Sequence, residues 1–288
     1  MNPVTFLNLI KFEHTIFALP FAYLGMLLGA RGWPPAAGGW PSWLQVFWVT
    51  VAMAAARSAA MAFNRYIDRH IDALNPRTAN RELPTGRVRA GTVLTFSIVS
   101  LGVLMLAAWM LNPLAFRLAL PAMVFLVGYS YTKRFTWFCH WILGATDGLA
   151  AAGGWIAVTG SIDPPAWVLW FAVTVWIAGF DLIYACQDVD FDRTHGVHSV
   201  PARFGIAAGL RVAQAMHVLT VLALAAAGLM MGLGWPYWAG VVTAAGLLVY
   251  EHSLVSPTDL SKLDIAFFNV NGYIAVIVFA ATLAALWR

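Results

Sequence analysis

The sequence predicts an all-α, polytopic membrane protein with about nine transmembrane helices around a central cavity. Of its 288 residues, 61% are hydrophobic and only 10% are charged, and the mean hydropathy is +0.74. Apolar runs long enough to cross a bilayer, which takes about 20 residues, fill most of the chain. No long polar linker separates these runs, so we expect one membrane-embedded domain over residues 1–288.

Each apolar window predicts one helix, because each is as long as a membrane span and carries few charges. In chain order the windows are residues 12–30, 42–63, 92–111, 113–131, 141–160, 166–186, 208–231, 235–253 and 264–287. Lys11, Glu13 and His14 precede or open the first window, and no convincing small-residue cleavage site follows it. We therefore expect the first helix to be kept rather than removed as a signal peptide.

The distribution of Lys and Arg predicts the orientation of the helices. With a cytoplasmic N-terminus, fourteen of the seventeen basic residues fall on the cytoplasmic side, and only Arg31, Arg117 and Arg288 fall outside. This bias explains the net charge of +4 without a nucleic-acid partner. Cys139 and Cys186 lack the spacing of a metal site, so neither zinc nor a disulfide is indicated.

A charged stretch, "NRYIDRHIDALNPRTANRELPTGRV", follows the second apolar window. Asn64, Asp68 and Asp72 are spaced i, i+4, i+8, so on a helix they share one face near the cytoplasmic mouth of the domain. Two carboxylates and an amide oxygen are hard ligands of the kind that Mg²⁺ prefers. This face is therefore a candidate magnesium site.

A second acidic stretch, "DLIYACQDVDFDRTHGVHSVPARFG", follows the sixth window. Asp181, Asp188 and Asp192 again fall on one face of a continuous helix, whereas Asp190 is expected to be an ordinary solvated carboxylate. Each stretch alone is equally well explained as a charged cytoplasmic loop. Together they favour a cation site, because facing carboxylates at a membrane boundary repel one another unless cations bind between them.

The two motifs, together with "YSYTKR" at the end of the fourth window, resemble the UbiA-type superfamily of intramembrane aromatic prenyltransferases. The N-terminal "KFEHTIFALPFA" is similar to the 4-hydroxybenzoate polyprenyltransferase-like branch, which includes menaquinone enzymes of the futalosine route. The resemblance implies transfer of a polyprenyl group from polyprenyl diphosphate to a small aromatic carboxylic acid. It also implies a bacterial inner-membrane protein in the lipid bilayer, with its active-site loops in the cytoplasm and no protein partner indicated.

The resemblance also implies roles for individual residues. One Mg²⁺ ion would be held by the first acidic motif and another by the second, through Asn64, Asp68, Asp72, Asp188 and Asp192. The bound ions would neutralise the diphosphate as it leaves.

Other residues would act beside the metal ions. Asp181 would orient the aromatic acceptor or assist at the second metal, and the phosphate would be held by Lys133, Arg81 and Arg203. An allylic cation needs aromatic faces around it, for which the modest candidates are Phe63, Tyr66 and Tyr184. His14 is a further candidate to touch the acceptor.

Several alternatives stay open at this point. The acceptor is either a hydroxybenzoate or a hydroxynaphthoate, and the length of the prenyl chain is not fixed by the sequence. A secondary transporter would have paired broken helices near the membrane midplane, whereas these acids cluster at one membrane face. A membrane phosphoalcohol transferase would need an Asp-x2-Asp-Gly signature, which "TDGLAAAGG" does not supply.

Overall fold

The computed structural model describes residues 12–35 and 39–287, with side chains from residue 19 onward. Lys11 and the side chains of Glu13 and His14, named above, lie outside the described part. Within it the chain is helical, apart from turns, loops and an isolated antiparallel bridge between Ser256 and Asp259. The predicted all-α class is confirmed.

The described residues form eleven α-helices, in which each of the first eight predicted windows appears as one long helix and the ninth as a π-turn followed by the last α-helix. They are α1 (Phe12–Ala30), α2 (Trp43–Leu74), α3 (Ala90–Leu111), α4 (Pro113–Thr132), α5 (Cys139–Thr159), α6 (Pro164–Ala185), α7 (Val189–His195), α8 (Val200–Phe204), α9 (Ile206–Met230), α10 (Trp235–Ser253) and α11 (Asn271–Leu286). A 3₁₀ turn, Cys186–Asp188, joins α6 to α7, and a π-turn, Ile265–Val270, leads into α11.

Seven helical segments in the described part are long and apolar enough to cross a membrane, which makes the chain an integral membrane protein. They are α2 to α5, α6 with its extension to His195, α9, and the π-turn with α11. The described apolar part of α1, Leu19–Ala30, is shorter. Helix α10 falls outside the seven because Glu251, His252 and its aromatic side chains with polar groups reduce its hydropathy. The predicted count of nine transmembrane helices is therefore not confirmed.

Helix α2 is longer than its apolar window. It begins at a capping box, in which Ser42 Oγ accepts from Gln45 N at 3.2 Å and Gln45 Oε1 accepts from Ser42 N at 2.9 Å. It then runs for 32 residues to Leu74 and ends where Asn75, which precedes a proline, turns extended. At 1.5 Å per residue α2 is about 48 Å long. The first acidic motif therefore lies on the same helix as the second apolar window.

Helices α1, α5 and α6 pack at backbone contact. A Cβ atom on Gly25 of α1 would lie 1.9 Å from the carbonyl oxygen of Ala151 on α5, and one on Gly144 of α5 would lie 2.2 Å from that of Thr174 on α6. Small residues allow such close approach between membrane helices. Next to these contacts Trp155 is fully buried. This packed group forms one wall of the space described next.

Candidate functional site

Both acidic motifs reach one cavity of about 1030 Å³. Its wall contains most of the predicted site residues: Asn64, Asp72, Arg81, Lys133, Asp181, Asp188 and Asp192. These residues come from α2 and the loop after it, from the residue that follows α4, and from α6, the 3₁₀ turn and α7. The helical packing thus brings together two stretches that are more than ninety residues apart in sequence.

Asp68 lies just behind the cavity wall and is 1% exposed. Its Oδ2 atom is 2.6 Å from Lys133 Nζ, and its Oδ1 atom is 3.0 Å from Arg134 Nη2. Asn64 Nδ2 also donates to Oδ2, at 2.9 Å. Two cations therefore neutralise this predicted metal ligand in the present structure.

Asp72 carries an oxygen that is available for a ligand. Its Oδ1 atom accepts from Arg81 Nη1 at 2.7 Å. Its Oδ2 atom is buried and has no hydrogen-bond partner among the described residues. A buried carboxylate oxygen without a partner costs free energy, and a bound cation would remove that cost.

Asp188 is held by Arg77. From sequence, Arg77 is predicted only to be one of the basic residues on the cytoplasmic side. Arg77 donates from Nε to Oδ1 at 3.0 Å and from Nη2 to Oδ2 at 2.5 Å, and Asn75 Nδ2 also donates to Oδ1 at 3.0 Å. Burial alone would lower the pKa of Arg77. The hydrogen bonds to Asp188 and the nearby negative charges outweigh burial, so the net pKa lies above its ordinary value. Arg77 is therefore a permanent cation in the cavity.

The prediction that Asp181, Asp188 and Asp192 lie on one face of a continuous helix is wrong. Helix α6 ends at Ala185, and the 3₁₀ turn that follows has a tighter repeat than an α-helix. The side chains nevertheless reach the same cavity. Asp192 is buried, and its Oδ2 atom accepts from Ser199 Oγ at 2.9 Å. Asp190 is exposed, as expected.

Asp181 is paired with His140, which the sequence analysis did not single out. His140 opens α5 and is 2% exposed, and its Nδ1 atom lies 2.6 Å from Asp181 Oδ2. Val200 N donates to His140 Nε2 at 3.2 Å, so Nε2 is an acceptor and Nδ1 carries the proton. Asp181 therefore accepts a hydrogen bond from a fixed imidazole. The 41-residue separation of the pair explains why no local pattern reveals it.

Arg203 is placed differently from the prediction. Lys133 and Arg81 line the cavity, but Arg203 is exposed and lies outside its wall. Helix α8 is a short helix whose Val200 and Pro201 face inward. Arg203 is two positions after Pro201, and residues two apart on a helix do not share a face. Arg203 therefore stays on the surface.

Aromatic side chains cover another part of the cavity wall. Ring contacts run from Trp176 to Phe180 (5.3 Å between centroids), from Phe180 to Phe267 (5.2 Å) and from Phe267 to Tyr184 (4.1 Å). Phe268 lines the cavity beside them. We call these five residues the aromatic wall. Its members on α6 and the π-turn lie more than eighty residues apart in sequence.

Of the three aromatic residues proposed from sequence, Tyr184 alone lines the cavity. Phe63 and Tyr66 pack instead in apolar clusters with residues of α3, among them Val93 and Leu94. Proximity in sequence to an acidic motif therefore does not place a ring in the site, because neighbouring residues on a helix face different sides.

An apolar pocket of about 430 Å³ adjoins the cavity. The two spaces share Arg57, Ala60, Asp147 and Ala150 in their walls. Arg57 Nη1 lies 3.8 Å from Asp147 Oδ2. The remainder of the pocket wall comes mainly from Ala, Leu and aromatic side chains of α2 to α6. The cavity thus has a charged end and an apolar extension.

The carboxylates in the cavity pair with Arg and His side chains and do not converge on a common metal position. In the part of the chain that the structure describes, no group of three His, Cys, Asp or Glu side chains is arranged to hold a metal ion. The donors present are hard oxygens, and Asp72 keeps a buried oxygen free. The residues therefore fit a magnesium ion.

The sequence profile of the UbiA prenyltransferase family matches residues 18–273. The chain belongs to this family. The two acidic motifs, the cavity between them and the apolar extension all lie inside the matched region. Membership of the UbiA family makes the chain a prenyltransferase.

Proteins called 4-hydroxybenzoate octaprenyltransferase are similar to this UbiA-family chain. One from Cupriavidus necator is 34% identical over 254 residues, which cover 87% of this chain and 87% of the relative. Another from Alkalilimnicola ehrlichii is 33% identical over 230 residues, covering 80% of this chain and 78% of the relative.

Solved structures of UbiA homologues share the fold. The apo structure of a homologue from Aeropyrum pernix has a TM-score of 0.85 and 31% identity, and covers 94% of this chain and 98% of that one. A homologue from Archaeoglobus fulgidus, solved with GPP and Mg²⁺ bound, has a TM-score of 0.70 and 18% identity, covering 99% and 100% of the two chains. At that identity the second likeness concerns the fold alone.

Proposed function

We propose that this UbiA-family protein transfers a polyprenyl group from polyprenyl diphosphate to a small aromatic carboxylic acid of the 4-hydroxybenzoate type. One observation carries the proposal: two acidic motifs and several protein cations face one cavity that continues into an apolar pocket. This arrangement suits a substrate with a polyanionic head and a hydrocarbon tail. The names of the relatives from Cupriavidus necator and Alkalilimnicola ehrlichii support the same substrates.

The charged end of the cavity would bind the diphosphate together with Mg²⁺. The metal ligands would be Asn64, Asp68, Asp72, Asp188 and Asp192. Bound Mg²⁺ supplies positive charge to the oxygen that leaves as the allylic C–O bond breaks. The homologue from Archaeoglobus fulgidus that shares this fold was solved with GPP and Mg²⁺ bound.

The protein cations would bind the phosphate oxygens directly. Lys133, Arg81 and Arg77 each hold a carboxylate in the present structure. If these carboxylates held Mg²⁺ instead, the same side chains would be free to donate to phosphate. Charge-assisted hydrogen bonds from Arg and Lys are about twice as strong as neutral ones, so they stabilise the diphosphate both before and after bond cleavage. Arg203, being exposed, is left out of this set.

Asp181 would act on the acceptor. The hydrogen bond that His140 donates to Asp181 holds this carboxylate in the cavity wall, where it can accept a further hydrogen bond. A carboxylate in this position is suited to accept a hydrogen bond from the acid's hydroxyl group and so raise the electron density of the aromatic ring. The ring carbon then attacks the allylic carbon.

The apolar pocket would receive the prenyl chain and pass its far end toward lipid. The shared wall residues, such as Ala60 and Ala150, are small and leave the two spaces connected.

We further propose that all nine long helices span the bilayer as one domain, residues 1–288. The protein would lie in a bacterial inner membrane with the loops that carry both acidic motifs in the cytoplasm. Neither a protein partner nor a nucleic acid enters this proposal.

The test is a reaction with the purified protein in detergent, Mg²⁺, a polyprenyl diphosphate and a panel of aromatic acids. The panel contains 4-hydroxybenzoate and a hydroxynaphthoate, and mass spectrometry identifies the products. We expect a C-prenylated hydroxybenzoate, and preference for the naphthoate would instead support a menaquinone role. Recovery of all substrates unchanged, by protein that is monodisperse on gel filtration, would refute the proposal. The Asp188→Asn variant is the matched inactive control.

A further inference from the structure

Glu251 on α10 is a buried carboxyl group outside both acidic motifs. It is 0% exposed, and its Oε1 atom accepts from Asn271 Nδ2 at 3.0 Å. Burying a carboxyl group away from water is unfavourable unless hydrogen bonds compensate. Such a residue in an apolar helix is by default a candidate for a functional role, and its partner Asn271 lines the cavity.

The side chain of Asn271 also holds the π-turn that precedes α11. Its Nδ2 atom donates to Ala266 O and to Phe267 O, each at 3.1 Å, in addition to Glu251. Two hydrogens are thus shared among three acceptors. Single π-helical turns are rare and weaker than α-helix, and they occur often at functional sites. The amide therefore connects the irregular turn to the fixed carboxylate on α10.

The π-turn places two consecutive rings in the cavity wall. Phe267 and Phe268 both line the cavity, with their centroids 4.6 Å apart and their planes at 89°. Phe267 stacks on Tyr184 at 4.1 Å, and Phe268 approaches the same ring edge-on at 6.3 Å. Adjacent residues of a regular α-helix point about 100° apart. The wide turn thus helps two neighbours face one space.

These rings meet the second acidic motif. Arg77 Nη1 donates to the Tyr184 hydroxyl at 2.9 Å, while the same guanidinium holds Asp188. The guanidinium carbon lies 5.1 Å from the centroid of the Tyr184 ring. The aromatic wall therefore borders the place where the proposed diphosphate leaves. An allylic cation forms at that border, and aromatic faces stabilise cations.

We propose that Glu251 and Asn271 are positioning residues, which hold the π-turn so that Phe267 and Phe268 shield the allylic cation from water. The inference rests on the proposed function. When the C–O bond breaks, its electron pair leaves with the diphosphate oxygen. The cation is then captured by the acceptor's ring carbon, which loses its proton, or by water, which loses a proton and yields the prenyl alcohol. The ratio of alcohol to aryl product measures the shielding.

The experiment measures this ratio in Asn271→Leu, which removes all three donated hydrogen bonds at similar volume. We expect the ratio to rise about tenfold, the size expected for losing one desolvated cation–aromatic contact. Glu251→Leu removes the oxygen that accepts from Asn271 and should also raise the ratio, whereas the conservative Glu251→Gln keeps such an oxygen and should hold the ratio within about twofold of the wild type. The ratio is taken per diphosphate consumed, so a smaller folded fraction does not change it.

Two direct variants keep the inference testable if Asn271→Leu does not fold. Phe267→Leu and Phe268→Leu should each raise the ratio. In a protein that carries both changes, adding Asn271→Leu should raise the ratio no further. An unchanged ratio in the folded Asn271→Leu protein, or in both Phe variants, overturns the inference and leaves the proposed function intact. A wild-type protein that makes no aryl product overturns both.

Discussion

His140 Nδ1 lies 2.6 Å from Asp181 Oδ2, and this contact joins the first turn of α5 to α6 in the cavity wall. The backbone N–H of Val200 fixes the imidazole from its other side. The carboxylate is thereby held as an acceptor that faces the substrate space.

The first prediction is that Asp181→Asn slows turnover by about 10² to 10⁴, the usual contribution of a positioned acid or base. The amide keeps the shape but is a poor acceptor for the substrate's hydroxyl proton. The measurement is kcat at saturating diphosphate and acceptor. Binding of the diphosphate itself, measured without acceptor, should change little. Equal loss of diphosphate binding would instead assign Asp181 to the metal.

The second prediction separates metal ligands from bystanders. Asn in place of Asp68, Asp72, Asp188 or Asp192 should lower turnover by about 10² to 10³, because the leaving diphosphate loses electrostatic stabilisation. Asp190→Asn, at an exposed position beside two of them, should stay within about twofold. Equal activity of the Asp188 and Asp190 variants would contradict the assignment.

The third prediction concerns the metal. Excess EDTA should abolish turnover and added Mg²⁺ should restore it, since the carboxylates and the diphosphate repel one another without a cation. The assay follows product by mass spectrometry before and after re-addition, with unfolding monitored in parallel. Full activity in chelator would remove magnesium from the proposal.

The fourth prediction compares two arginines. Arg77→Gln should raise KM for the diphosphate by about tenfold to a hundredfold, the range for losing a charge-assisted hydrogen bond of about 1.5 to 3 kcal/mol. The raised pKa of Arg77 keeps it charged at every working pH, so the effect should not vary across the neutral range. Arg203→Gln is the matched surface control and should be nearly silent. A larger effect at Arg203 would mean that the loop after α7 folds over the substrate.

The fifth prediction is the orientation of the protein. Single cysteines at the exposed positions Thr85 and Thr194, in a background lacking Cys139 and Cys186, should escape an impermeant thiol reagent in intact cells. A cysteine at exposed Ile162, beyond the other end of α5, should be labelled. Both patterns follow from the bias of Lys and Arg toward one side. The reverse pattern would invert the topology.

Much of this site could be predicted from sequence because its proposed metal ligands lie at helical spacings. Asn64, Asp68 and Asp72 repeat every fourth residue, and that spacing holds wherever the helix continues. The structure confirms the continuation through Leu74. The second motif was only half predictable, since the change to a 3₁₀ turn at Cys186 depends on packing that the local pattern does not encode.

The remaining contacts join residues that are distant in sequence. Arg77 meets Asp188 across 111 positions, and His140 meets Asp181 across 41. A single sequence contains no signal for such pairs, because the partner is chosen by the three-dimensional packing of helices. The surface position of Arg203 was missed for the same reason, since the facing of a short helix is set by what it packs against.

The length of α2 places the first acidic motif where a water-soluble substrate and a lipid-soluble substrate can meet. Its 32 residues exceed what is needed to cross a hydrocarbon core of about 30 Å, and the acidic motif occupies the excess. Under the proposed function, the acid would therefore reach the site from water, and the prenyl diphosphate would reach it by diffusing in the plane of the lipid. Turnover then depends on the acid's molarity in bulk solution and on the prenyl donor's mole fraction in the bilayer. Diluting the donor with inert lipid slows the enzyme, whereas diluting the vesicles with buffer at a fixed acid concentration does not.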